Sequence, residues 1–169
     1  MRVGQKGTVH RVWAARGSRP RMPRALGFRS THLFGAVCPG RGVGAGLVLP
    51  VANAAAMALH LAEISTQVAP DAHAVVVLDQ AGSHQAQALA GRVPAKLSLL
   101  PLPPYSPELN PMELVWQDLR RQDLANRVFD DLGQVIEACC QAWNKLIADT
   151  GRLISLTDFA WARSNPGTL

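Results

Sequence analysis

Two acidic residues stand where a folded chain could bring chemistry together. Asp79 closes the apolar run AHAVVVLD, and open α/β sheets gather ligand and catalytic groups just outside the carboxyl ends of their strands. Glu113 follows the proline-rich stretch LLPLPPYSPELNP and opens the helical pattern MELVW, with 33 residues between it and Asp79. Two carboxylates held close together cannot both stay ionised cheaply unless a cation lies between them. Their hard oxygens select Mg²⁺ or Mn²⁺ over zinc. Two such ions about 3.5 to 4 Å apart activate a water or 3′-hydroxyl nucleophile and stabilise the leaving oxygen of a phosphodiester. That chemistry also needs a third carboxylate, on a neighbouring strand, to bridge the ions.

Each residue has a structural alternative. Asp79 begins DQAGS, and Asp and Gly are ordinary turn residues. Asn110, Pro111 and Glu113 match the N-cap, N1 and N3 positions of a capping box, in which the glutamate reaches back to the Asn110 amide. The combination favours the metal reading: a strand-end Asp, a helix-start Glu, and a loop stiffened by Pro101, Pro103, Pro104 and Pro107 controlling entry to the helix.

TVHRVWA (8–14) suits a short strand, and GSRPRMPRALG a loop. THLFGAVC and VGAGLVLP, joined by PGRG, predict a β-hairpin. Asn53 caps a helix through AAAMALHLAEISTQV, with Met57, Leu61, Ile64 and Val68 along one side. The run from Ala74 to Leu78 does not alternate, so it is expected as a strand buried on both faces. SHQAQALAG is then a short helix closed by Gly91, and KLSLLPL a second strand, parallel to the first through a right-handed crossover. From Asn110 on, Met112, Val115, Trp116 and Leu119 form an apolar stripe beside a polar face of Glu113, Gln117 and Arg120. Asp131 and Gln134 form a capping box for a last helix whose core face carries Leu132, Val135, Ile136, Cys139, Trp143, Leu146 and Ile147.

The chain has 169 residues and 48% hydrophobic content, enough for one core. No apolar run is long enough to span a membrane, and the basic N-terminus lacks a signal-peptide core. Cys38, Cys139 and Cys140 form neither a disulfide framework nor a CxxC knuckle, and are expected as buried small hydrophobes. The histidines at 10, 32, 60, 73 and 84 have no zinc-ligand spacing. Charge is segregated: residues 1–62 hold nine Lys or Arg and no carboxylate, and Glu63 is the first acidic residue. Such a segment suits a phosphate backbone, although a solvated basic loop has the same composition.

VVVLDQAGSH followed by LPPYSPELNPMELVW resembles the catalytic core of the DDE transposases, in particular the bacterial insertion-sequence (IS-six-thirty) branch of the mariner superfamily. GQKGTVHRVWAARGSRP and LFGAVCP resemble earlier segments of that branch, so the likeness spans roughly residues 2 to 148. It implies an RNase H-like mixed α/β sheet flanked by helices, over residues 1–150, with 151–169 as a C-terminal tail. It implies Asp79 and Glu113 as the second and third acidic residues of a catalytic, metal-binding triad served by two Mg²⁺ or Mn²⁺ ions. DNA, as transposon ends and target, would be the partner, contacted by Lys6, Arg11, Arg16, Arg19, Arg21 and His84. The structural alternative for His84 is the start of a helix. Trp116 is expected to pack its helix on the sheet without chemistry. The family's usual setting is bacterial, cytoplasmic and nucleoid-associated, with a homodimer and no membrane.

One departure accompanies the match. In that family the first triad Asp closes the first strand, in an Asp-Glu pair just before the segment matched here by RVGQKG. The expectation is therefore a chain lacking the first, central strand and its Asp. It would be inactive by itself, with the hairpin and the Asp79 strand either pairing directly or leaving an exposed edge. A non-catalytic DNA-binding or regulatory role for the basic segment is the alternative.

Overall fold

The computed structural model describes residues 1–6, 10–18, 20–21, 27–84 and 87–162. Arg2–Gly4 forms a short strand, β1, and Ser30–Cys38 and Val43–Leu49 form β2 and β3. β2 and β3 are the expected hairpin, antiparallel from His32↔Leu49 to Cys38↔Val43. Its PGRG turn closes because the Cys38 carbonyl accepts from the amides of Arg41 and Gly42. Gly42 has φ +60°, a conformation that glycine adopts without a Cβ clash.

Successive residues of β2 face opposite sides, and each side meets its own core. Leu33 and Val37 join Val115, Trp116, Leu119, Val135, Cys139, Trp143 and Leu146 on one side. Phe34 and Ala36 join Met57, Leu61 and Ile64 on the other. The latter three lie on helix α1, Ala54–Thr66, where Asn53 Oδ1 accepts from the Ala56 amide at 2.9 Å as its sequence predicts.

Ala74–Leu78 (β4) and Leu97–Pro101 (β5) pair in parallel, from Ala74↔Leu97 to Leu78↔Pro101. Their burial corrects the sequence expectation. Leu78 and Leu97 are buried against α1, but Val75 is 60% and Leu100 54% exposed. The reason lies in the sheet order: β1-β2-β3 and β4-β5 are separate sheets, and the helices beyond residue 110 collect on β2 and β3.

Among the described residues the two sheets are not joined through a strand. β1 pairs with Ser30–His32 of β2 over three residues. The expected strand at 8–14 does not form over 10–14, which has no regular structure, and 7–9 lie outside the described residues. SHQAQALAG is not one helix either. Gly82–His84 is a 3₁₀ turn, residues 87–91 are turns, and 85–86 lie outside the described residues. So short a segment cannot offset helix nucleation by itself, and Leu89 is instead drawn fully into the core.

Met112–Leu119 forms α2, which widens into a π-helical turn over Arg120–Leu124. Leu132–Ala148 forms α3, where Asp131 Oδ1 accepts from the Gln134 amide; the Gln134 side chain returns to the amide of Asp130 rather than Asp131. Ile136, expected on the core face, is 39% exposed. Thr150–Thr157, within the segment expected as a tail, forms a further helix, α4, with Leu153 and Thr157 fully buried. Arg152 binds α4 to Asp118 of α2 and, at 3.1 Å, to Asp123 of the π-helical turn.

Cys139 is buried, and burial pushes its thiol up to about 11, as befits an inert core residue. Cys38 is exposed, contrary to expectation, because it ends β2 at the hairpin turn. No helix among the described residues is long and apolar enough to cross a membrane.

Candidate metal and DNA site

Leu78, the last residue of β4, is buried, so the next side chain emerges at the carboxyl end of the strand. That side chain is Asp79, 51% exposed. Its Oδ1 accepts from the Ala81 amide at 3.1 Å, so the turn role and an accessible carboxylate coexist. The same oxygen lies 2.6 Å from His84 Nδ1, which carries the hydrogen of that bond. His84 therefore sits at the C-terminal end of a 3₁₀ turn beside Asp79. The other oxygen, Oδ2, has no hydrogen-bond partner among the described residues.

The loop leading to Glu113 is bolted to this strand end. The Leu102 amide donates to the Leu78 carbonyl at 2.8 Å, and the Gln80 side chain donates to the Leu102 carbonyl at 2.9 Å. The chain then passes Tyr105, which has φ +58° and a fully exposed ring, and a 3₁₀ turn over Pro107–Leu109. Asn110 starts α2 through its Oδ1, which accepts from the Met112 amide at 3.1 Å. The predicted capping box is not formed. The Asn110 amide already donates to the Pro107 carbonyl, and Pro111 has no amide to offer. Glu113, partly buried, is left uncommitted in the first turn of α2. Trp116, one turn on, packs onto the hairpin as expected: its ring centroid is 6.1 Å from that of Trp143, and both rings crowd Gly35.

The Met1 nitrogen donates to the Leu33 carbonyl at 2.7 Å. Burial lowers the affinity of this ammonium for its proton and Arg120 lowers it further, whereas Glu113, Cys139 and Asp79 oppose the shift.

Sequence reasoning passed over His60. It lies on α1 between Met57 and Leu61, 97% buried, with neither ring nitrogen hydrogen-bonded. Its ring faces Phe34 at 5.8 Å. Burial drives its pKa down to about 4; the Gly35 backbone favours the protonated ring without forming an aligned bond, and His84 and the Met1 ammonium disfavour it. The available signal was its position inside an apolar stripe, where a histidine must be stripped of water.

Of the proposed DNA contacts, Lys6, Arg11, Arg16 and Arg21 are exposed, with Lys6 Nζ 5.8 Å from the centre of the Phe28 ring. Arg19 lies outside the described residues, and His84 is engaged by Asp79.

As a donor set, two carboxylates suit a hard divalent ion, but they are few. Among the described residues no group of three or more His, Cys, Asp or Glu is placed to hold a metal.

The fold is that of the RNase H-like catalytic domains. It aligns with the solved structure of the Mos1 transposase paired-end complex with left transposon end at a TM-score of 0.58 and 18% identity, over 94% of this chain and 54% of the other. The chain thus spans about half the length of that transposase chain. Residues 1–136 match the family described as DDE superfamily endonuclease, and the chain belongs to that family. It is also 50% identical to the uncharacterized protein y4pE/y4sA of Sinorhizobium fredii over 131 residues, 78% of this chain and 96% of that protein.

Proposed function

We propose that this chain is the part of an insertion-sequence DDE transposase, of the IS-six-thirty branch of the mariner superfamily, that supplies the second and third catalytic carboxylates, Asp79 and Glu113. The observation that carries the reading is the match of residues 1–136 to the DDE superfamily endonuclease family, supported by an exposed Asp79 at the carboxyl end of β4 and an uncommitted Glu113 in the first turn of α2. Mg²⁺ or Mn²⁺, when bound, supplies the charge that stabilises a phosphodiester transition state during strand cutting and joining. Within the chain, Asp79 Oδ2 and the Glu113 carboxylate would hold the metal, and His84 orients Asp79 through Oδ1. The partner is DNA, as transposon ends and target, met by the exposed Lys6, Arg11, Arg16 and Arg21 together with Arg19. Assembly as a dimer belongs to the same reading.

Because no carboxylate precedes Glu63, the 169 residues alone lack the bridging ligand and are inactive in this reading. Plasmid nicking in Mn²⁺ tests it in two arms. The 169-residue chain should not nick, and the chain extended ahead of Met1 by an apolar strand ending in Asp-Glu should. Nicking by the unextended chain overturns its inactivity. Nicking by the extended chain that survives both Asp79→Asn and Glu113→Gln overturns the assignment of the carboxylates.

A further inference from the structure

The segment between β1 and β2 holds an aromatic side chain that packing does not explain. Trp13 is fully exposed, at 104% of its reference area, and its neighbour Val12 is 55% exposed. The other three tryptophans differ: Trp116 and Trp143 are buried in the main core, and Trp161 rests against Phe159. Trp13 makes no ring or cation contact within the described residues. An indole left in water forgoes the burial that usually holds it.

The segment around it is braced. The His10 amide donates to Asn126 Oδ1 at 3.0 Å. On the other side, the amide and hydroxyl of Ser18 both donate to the Ala15 carbonyl, at 3.0 and 2.7 Å, closing a turn. At the root of the excursion, the Gln5 side chain donates to the Asp130 carbonyl at 2.9 Å. Trp13 is therefore presented between an anchor at His10 and a local turn at Ala15–Ser18, with Arg11 and Arg16, both exposed, on either side.

We infer that Trp13, flanked by Arg11 and Arg16, is a stacking platform for an unpaired stretch of DNA. Charge selects the occupant. Residues 1–62 carry no acid and the whole chain has a net charge of +5, so a second copy of this surface is repelled and a polyphosphate attracted. The indole then selects the form of the polyphosphate. In a duplex the base faces are already stacked on one another, whereas every unpaired base offers a face to an aromatic ring. The inference rests on the DNA-handling reading above, yet it uses residues outside the carboxylate pair and can fail separately from it.

The test is binding of an oligothymidylate and of a duplex of equal length to the full chain and to Trp13→Ala, Trp13→Phe and the double variant Arg11→Ala/Arg16→Ala. Since Trp13 has no packing to lose, the variants fold, which thermal melting checks. Trp13→Ala should weaken single-strand binding by about tenfold and leave duplex binding within about twofold, with Trp13→Phe restoring most of the loss. The double arginine variant should weaken both and flatten their salt dependence. Oligothymidylate should quench the parent's tryptophan emission but not that of Trp13→Phe. Equal single-strand affinity in Trp13→Ala, an equal loss on duplex, tighter binding of oligouridylate than of oligothymidylate, or a dimer that dissociates in Trp13→Ala would each overturn the inference. Retained stacking alongside failure of the nicking arms would leave it standing without the catalytic reading.

Discussion

At the scale of single residues, His60 shows what burial does to a titratable ring. Its folded-state pKa of about 4 lies below the ordinary 6.5 because the buried imidazolium would lose its hydration. The unfolded chain therefore binds the proton more readily, and stability is complete above about 6.5 and falls as the pH drops toward 4. Urea unfolding should show a loss of about 2 kcal/mol between about pH 7.5 and about pH 5. In His60→Leu that loss should shrink to a small fraction; an unchanged slope would assign it to other groups. The positions of Asp79 after a strand and of Glu113 in the first turn of a helix were legible in the sequence, because each closes or opens an element with a strong pattern. His84 was legible as a neighbour, but its bond to Asp79 depends on the 3₁₀ turn over Gly82–His84, which no periodicity announces. His60 was not singled out, since a histidine in an apolar stripe gives no sign of which nitrogens will lack partners.

At the scale of elements, the hairpin is held by a close approach. Gly35 and Gly46 face each other across β2 and β3, and the ring of Trp143 lies over both. A Cβ at Gly46 would stand 2.5 Å from that ring, and one at Gly35 2.6 Å from it. Gly46→Val should thus cost about 1 to 3 kcal/mol of stability through overpacking, read as a fall in the midpoint of chemical denaturation at unchanged slope. The glycines looked like punctuation in the sequence; in the fold they make room for Trp143. The hairpin, α1, the parallel β4-β5 pair and the apolar stripes of α2 and α3 were legible because alternation, caps and helical spacing are local signals. The failures at 10–14 and 83–91 came from short segments, where loop anchoring at Asn126 and burial of Leu89 outweigh local propensity. The capping box failed because a 3₁₀ turn had already taken the Asn110 amide, an outcome of the proline loop that a four-residue motif cannot encode.

At the scale of the whole molecule, two cores on opposite sides of β2 and β3 hold the strand end bearing Asp79 and the helix start bearing Glu113. The burial of β4-β5 on one side only was not legible, because an unalternating run such as AVVVL says nothing about which neighbours will cover it. If Asp79 and Glu113 share one divalent cation, as proposed, Fe²⁺-directed backbone cleavage reports it. With ascorbate and peroxide, Fe²⁺ in place of Mg²⁺ should cut the 169-residue chain at two places, around residues 79–84 and 110–114. Excess Mn²⁺ should suppress both cuts, and Asp79→Asn or Glu113→Gln alone should remove both, since each carboxylate holds the same ion. Cuts near Glu113 that persist in Asp79→Asn, or cleavage at neither place, would contradict a shared site.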